Sequence, residues 1–128
     1  MWLPQRGSRS RVEIRTADGA ACPHLMIAAL LLAGLDGIER GLAPPEPVVG
    51  DSYRLDDAHA GSTLPADLGT ALDALEADTV LVEKLGGTLV STFIAMKRFE
   101  VERFAEAVGE LDVEVVTQWE IEEYASHL

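Results

Sequence analysis

Residues 11 to 15 read Arg11-Val12-Glu13-Ile14-Arg15, an alternation of charged and apolar side chains that predicts a β-strand over residues 9–16. Successive side chains of a strand point to opposite faces, so the three charged residues share one face while Val12 and Ile14 are directed into a core. Same-face neighbours then lie about 6.6 Å apart, at a rise of ~3.3 Å per residue. Guanidiniums bind phosphate bidentately and an ionised glutamate binds Mg²⁺ or Mn²⁺, so this face suits a metal–phosphate site. A surface ladder of ion pairs is the alternative interpretation.

Helical patterns dominate the rest of the chain. The turn signal Asp18-Gly19 is followed by Pro23, which suits an early position in a helix, and by a segment that is apolar on nearly every side. Together they predict a buried helix over residues 22–40. Prolines, glycines and aspartates interrupt residues 42–64, which are predicted to form a long loop. The remaining periodic segments predict helices over residues 66–77, 78–85, 88–108 and 117–127.

Capping residues support these boundaries. Ser62 or Thr63 is expected to cap the helix that follows the loop, and Asp78 the next one. Thr117-Gln118-Trp119-Glu120 has the pattern of a capping box. In the helix over 88–108, apolar side chains at roughly helical spacing predict an inward stripe: Leu89, Phe93, Met96, Phe99, Val101, Phe104 and Val108.

Together these elements predict an α+β fold that is mostly helical, with one N-terminal strand followed by four or five helices in a single domain. The lone strand is a difficulty, because its backbone N–H and C=O groups need a neighbouring strand. We therefore expect that it joins the sheet of another chain, or that the sequence is the C-terminal part of a longer protein.

Composition and charge exclude several classes of function. The chain has 128 residues and a net charge of −12, but residues 1–15 hold four arginines and one glutamate, a net +3, which leaves −15 for the remainder. An acidic body of this kind argues against a nucleic-acid binder and favours a single small anion as ligand. The apolar run over residues 25–35 is shorter than the roughly 20 residues that cross a membrane, so no membrane association is expected.

Cys22 is the only cysteine, which rules out an intrachain disulfide and fits a reducing cytoplasm. With no clear activating base beside it, its thiol is expected to be a small buried apolar group and not a nucleophile.

Several of these motifs occur together in one family. The segment over residues 11–15, the Ala-x-Pro-x-Leu of residues 21–25 and the Ala-Gly-Leu-Asp-Gly-Ile of residues 33–38 resemble the C-terminal part of glutamine synthetases. The likeness continues through Leu64-Pro65 and through residues 119–124, so it covers nearly the whole chain. It implies a partial glutamine synthetase catalytic domain.

The resemblance implies an ATP-dependent ligase in which ATP phosphorylates the γ-carboxylate of glutamate and ammonia displaces the phosphate. Glu13 matches a carboxylate that binds Mg²⁺ or Mn²⁺ near the nucleotide phosphates. Arg15 matches the arginine that binds glutamate and its acyl phosphate, and Arg11 matches one that lines the phosphate end of the site. Arg9 is the candidate for the ATP contact that relatives make through a lysine where this chain has Ser8. The resemblance also implies a cytoplasmic homo-oligomer as the parent enzyme.

Departures from the family pattern leave alternatives open. The other metal-binding glutamates of the family are absent from these residues, and one carboxylate cannot hold a pair of divalent ions, so the chain alone is predicted to be inactive. The alternatives are a segment of a γ-glutamylpolyamine synthetase-like ligase that uses another amine, a non-catalytic docking module, and a remnant without activity. Tyr53 lies where some bacterial relatives carry a regulatory adenylylated tyrosine, but its flanks favour an ordinary loop residue.

Overall fold

The computed structural model describes residues 13–14, 16–44, 64–109 and 115–125, and this part of the chain contains five helices. They are α1 (Pro23–Glu39), α2 (Leu68–Ala77), α3 (Thr79–Leu85), α4 (Gly87–Val108) and α5 (Gln118–Tyr124). The predicted loop over residues 42–64, including Tyr53, lies almost entirely outside the described residues.

The predicted α+β class is wrong, because the described residues are helical and include no strand. Within the predicted strand, Glu13 occupies an isolated β-bridge, while residues 9–12 and 15 lie outside the described part. Ile14 is 40% exposed, so its side chain does not enter a core as expected. The physical reason is that a strand needs a partner for its backbone hydrogen bonds, and the described residues offer no second strand.

The helices begin where local side chains satisfy their free N–H groups. Pro23 occupies the first turn of α1, as predicted, where its missing N–H costs nothing. Asp78 caps α3 by accepting a hydrogen bond from the Leu81 backbone N–H at 2.9 Å, which confirms the prediction. The capping box at α5 is also confirmed, since Thr117 and Glu120 each accept a hydrogen bond from the other's backbone N–H.

The start of α2 differs from the expectation. Its cap is Asp67, with its carboxylate 2.7 Å from the Thr70 backbone N–H and 2.9 Å from the Thr70 hydroxyl, whereas the predicted caps Ser62 and Thr63 lie outside the described residues. These hydrogen bonds lower the pKa of Asp67, chiefly through the backbone N–H of Thr70. The helix therefore begins one residue after an aspartate, which is a stronger cap than threonine.

The core is small and lies between α2 and α4. Leu72, Val90 and Ile94 are its buried members among the described residues, and four partly buried side chains surround them: Leu75, Val82, Leu85 and Phe93. Part of the predicted inward stripe of α4 is wrong, because the three residues Leu89, Met96 and Phe99 are 47%, 65% and 62% exposed. Val90 and Ile94 are the buried residues of α4, whereas the other members of the predicted stripe, Phe93, Val101, Phe104 and Val108, are partly buried.

A sharp bend and two ionic contacts arrange the helices. At the junction of α3 and α4 the chain bends by 108°, and Gly86 there has φ +97°, a conformation that side chains other than glycine rarely adopt. Lys84 on α3 lies 2.6 Å from Glu39 on α1, and Arg98 on α4 binds two carboxylates of α2. No single helix in the described part is long and apolar enough to cross a membrane; α3 and α4 reach that length and composition only when taken together across their bend.

Helix α1 is the element that departs most from expectation. The sequence predicts a buried helix over residues 22–40, and a helix is present, but none of its residues is buried. Cys22, which precedes it, is exposed and is not the buried thiol that the sequence suggested. Among the described helices, α3 is the one that packs against α1.

Candidate functional site

The structure describes one of the four residues predicted for the metal–phosphate site. Arg9, Arg11 and Arg15 lie outside the described residues, so their arrangement around Glu13 stays a prediction. Glu13 itself is partly buried, while its neighbour Ile14 is exposed. Glu13 is thus less exposed than Ile14, whereas the predicted strand directs Ile14 into a core.

A turn joins this segment to α1. The Asp18 carboxylate accepts a hydrogen bond from the Ala20 backbone N–H at 2.7 Å, and the Asp18 carbonyl accepts one from the Ala21 N–H at 3.1 Å. Both bonds hold the chain reversal that the Asp-Gly pair predicts. The turn lies between Glu13 and the first residues of α1, among which His24 is exposed.

Glu13 fits a metal as a single ligand and not as a complete site. A carboxylate oxygen is a ligand that Mg²⁺ and Mn²⁺ prefer. No group of three or more histidine, cysteine, aspartate or glutamate side chains that could hold a metal ion occurs in the part of the chain that the structure describes. A divalent ion at Glu13 would therefore need further ligands from elsewhere.

A second polar region lies between α1 and α3, around a cavity of about 130 Å³. Asp36 and Arg40 pair across one turn of α1 at 3.1 Å, and Lys84 pairs with Glu39. The Glu39 hydrogen bond raises the pKa of Lys84, which therefore stays protonated at neutral pH. These ion pairs neutralise the charges of the region and join α1 to α3. We therefore interpret the region as a structural contact between the two helices.

Another polar cluster of the described residues lies between α4 and α5, and the sequence did not predict it. The Tyr124 hydroxyl donates to the Glu100 carboxylate, which also lies 2.6 Å from Lys97. The guanidinium of Arg103 binds both carboxylate oxygens of Glu123, at 2.8 and 2.9 Å. Spacing could have suggested only the pair at positions 97 and 100, because the other partners come from separate helices.

This cluster holds α5 in place and has no catalytic arrangement. Burial, followed by the hydrogen bond to Glu100, raises the pKa of Tyr124, so the phenol stays protonated and cannot act as a base. The Arg103 guanidinium lies 5.5 Å from the Trp119 ring centre, and that ring meets Phe104 edge-on at 5.3 Å. These contacts pack α5 against α4.

The described residues form a helical unit that carries one candidate metal ligand and in which the most apolar helix has no buried residue. Such a unit is typical of a portion of a larger catalytic domain. Comparison with known proteins identifies that domain: a family model described as glutamine synthetase, catalytic domain, matches residues 2–123. The chain belongs to this family.

Relatives of known name agree with the family match. The chain is 38% identical over 127 residues to the glutamine synthetase of Thermococcus kodakarensis, with 93% of this chain and 28% of the relative covered. It is 35% identical over 123 residues to that of Methanocaldococcus jannaschii, covering 93% of this chain and 25% of the relative. For Pyrococcus abyssi the identity is 39% over 126 residues, covering 92% and 28%. The chain thus spans about a quarter of the length of the relatives it matches.

Proposed function

We propose that this chain supplies one portion of the catalytic site of an ATP-dependent glutamate–ammonia ligase. The observation that carries the proposal is a family match over nearly the whole chain that includes the segment around Glu13. The relatives' name supports ammonia as the acceptor. ATP and glutamate are the co-substrates, and the assembled enzyme is a cytoplasmic homo-oligomer, as the family resemblance implies.

Within that site, Glu13 is the residue that would hold Mg²⁺ or Mn²⁺. When bound, the metal would neutralise charge on the transferring phosphoryl group. Arg11 and Arg9 would bind the phosphates, and Arg15 would orient the glutamate carboxylate, because a guanidinium offers two parallel donors to such groups. Catalysis of this kind is mostly positioning and charge stabilisation, so the loss of any one of these side chains is costly.

These 128 residues alone are predicted to be inactive. The described part offers one candidate ligand, and two-metal phosphoryl transfer needs several carboxylates. Incubation of the purified chain with ATP, Mg²⁺, glutamate and ammonia should release no phosphate above the background without protein. Clear release that depends on glutamate would contradict this prediction.

A chimera tests whether this chain can supply its portion of the catalytic site. In the Thermococcus kodakarensis enzyme, the segment matched by this chain is replaced with the chain itself, and phosphate release is measured with glutamate and ammonia. We expect turnover, and a loss of at least about 100-fold in kcat for Glu13→Gln, because the amide is neutral and a poorer ligand for Mg²⁺. Glu102→Gln, at an exposed position of α4, is the matched control and should keep activity within about twofold.

The same chimera shows whether the acceptor is ammonia or a polyamine. Ammonia is replaced with a polyamine, and phosphate release is compared at equal concentrations. Preference for the polyamine would replace ammonia ligation with γ-glutamylpolyamine synthesis as the function. A chimera that folds and assembles but is inactive with both acceptors would refute the proposal for this chain.

A further inference from the structure

Helix α4 takes part in two separate groups of contacts. Its first half carries the core residues Val90, Phe93 and Ile94, which pack with side chains of α2 and α3. Its described side-chain contacts with α5 begin at Lys97 and lie in the second half of the helix. The attachment of α5 is therefore distinct from the core along the length of α4.

Helix α5 is too short to be stable by itself. It spans the seven residues Gln118–Tyr124, whereas isolated helices shorter than about 12 to 15 residues are marginal in water. Its capping box satisfies backbone groups of the first turn only. None of its residues is buried, so little apolar area holds it in place. Its helical state depends on contacts with other parts of the protein, and among the described helices α4 provides them.

Charged side chains make most of the described contacts between α4 and α5. Arg103 donates to both carboxylate oxygens of Glu123 and lies 5.5 Å from the ring centre of Trp119, while Tyr124 donates to Glu100. Bidentate geometry and a network of several charges are the conditions under which ion pairs near a surface contribute measurably. We define the α4–α5 junction as the seven side chains that make these contacts: Lys97, Glu100, Arg103, Phe104, Trp119, Glu123 and Tyr124.

Dissolved salt acts differently on this junction and on the core. The Arg103 and Glu123 side chains are 42% and 28% exposed, so counter-ions can screen their attraction. The screening length is about 10 Å at 0.1 M salt and about 3 Å at 1 M. Contacts among the buried apolar residues of the core are not screened, and salt also reduces the self-repulsion of a chain with a net charge of −12. Salt should therefore weaken the junction without weakening the core.

We propose that α5 is a releasable element, which detaches from α4 and unwinds while the core between α2 and α4 stays folded, and that ionic strength sets how often this occurs. Segments of low local stability open in this way in many proteins. Release separates Arg103 from Glu123 and Phe104 from Trp119, so it changes both the charge pairing and the apolar packing at the end of α4. The proposal does not depend on the ligase function.

The alternative is that α5 opens only when the whole chain unfolds. Amide hydrogen exchange distinguishes the two cases, because a segment that opens locally exchanges faster than the core. If α5 opened only by global unfolding, its most protected amides would have the same protection factors as those around Val90 and Ile94.

The test is hydrogen exchange of the whole chain, followed by mass spectrometry, at about 20 mM and about 500 mM NaCl. At low salt we expect protection factors over residues 118–124 to be at least about tenfold below those over residues 88–96. At high salt the protection of residues 118–124 should fall at least about threefold further, whereas that of residues 88–96 should not fall. This comparison needs no substitution, so it does not depend on how a variant folds.

Two arginines of α4 provide a matched pair of substitutions. Their side chains are both 42% exposed, but Arg103 binds Glu123 of α5 whereas Arg98 binds Asp73 and Glu76 of α2. Arg103→Gln should lower the protection of residues 118–124 at least about fivefold and leave residues 88–96 within about twofold. Arg98→Gln should leave residues 118–124 within about twofold. Arg103→Lys should have an intermediate effect, because it keeps the charge but loses the two parallel donors.

The fluorescence of Trp119 gives an independent measurement. The chain has two tryptophans, so Trp2→Phe leaves Trp119 as the reporter. Its quenching by acrylamide, a neutral quencher, should rise with salt and with Arg103→Gln, since release separates the ring from Arg103 and Phe104.

Three results would overturn the proposal. The first is equal protection of residues 118–124 and 88–96 at low salt, which would show that α5 opens only with the core. The second is protection of α5 that stays constant or rises with salt. The third is an equal loss of α5 protection in Arg103→Gln and Arg98→Gln, which would show a general loss of stability and not release at this junction.

Discussion

Replacing Leu72 with alanine should be among the most destabilising single truncations in the described part of the chain. Leu72 is 2% exposed and contacts the two buried residues of α4, Val90 and Ile94. The change removes three carbon groups at about 0.8 kcal/mol each, or roughly 2.4 kcal/mol, and the cavity adds on the order of 1 kcal/mol. The expected loss is therefore about 3 kcal/mol.

That loss is a large part of the free energy of unfolding expected for a chain of this size. A chain of 128 residues has a free energy of unfolding of about 6 to 19 kcal/mol at ordinary values per residue. The small core places this protein toward the lower end of that range. With a urea m-value of about 1.5 kcal/mol/M, the midpoint should fall by about 2 M.

The assay is urea unfolding followed by far-UV circular dichroism, with Leu89→Ala as the matched control. Leu89 lies on the same helix as the core residues of α4 but is 47% exposed, so its truncation should cost about 1 kcal/mol and shift the midpoint by about 0.7 M. Equal shifts for the two variants, or a shift below about 0.7 M for Leu72→Ala, would refute the placement of the core between α2 and α4.

Two further predictions concern helix caps. Thr117→Ala removes half of the capping box and should lower the free energy of unfolding by about 1 kcal/mol, whereas Thr117→Ser should keep most of it; equal losses in urea unfolding would contradict the cap. Asp67 has a lowered pKa in the folded state, so its stabilising contribution is complete above its unfolded pKa of about 3.9 and is lost as the pH falls through the folded value. Asp67→Ala should remove that acid-dependent step from the unfolding midpoint measured between neutral pH and pH 2, and an unchanged pH profile would contradict it.

Features that depend on neighbours in sequence could be predicted from the sequence. The caps at Asp78 and Thr117 involve partners three residues away, and the proline of α1 needs only its own ring geometry. These signals are complete within a few residues, so no knowledge of packing is required to read them.

Features that depend on distant contacts were missed or misassigned. Helix α4 carries apolar side chains on two opposite faces, and sequence alone does not say which face meets α2; the exposed one was included in the predicted core. The cluster of Tyr124 with Glu100 joins two helices that are separated by residues outside the described part. The periodicity of apolar residues within either helix does not predict such a contact.

The candidate site likewise has local features that the sequence predicts and other features that depend on distant contacts. The alternating motif around Glu13 identifies residue types suited to a metal–phosphate site, and the family match supports that interpretation. A strand, however, exists only when a neighbouring strand accepts its hydrogen bonds. The metal–phosphate site around Glu13 therefore stays a prediction, while the predicted strand is not present in the described residues.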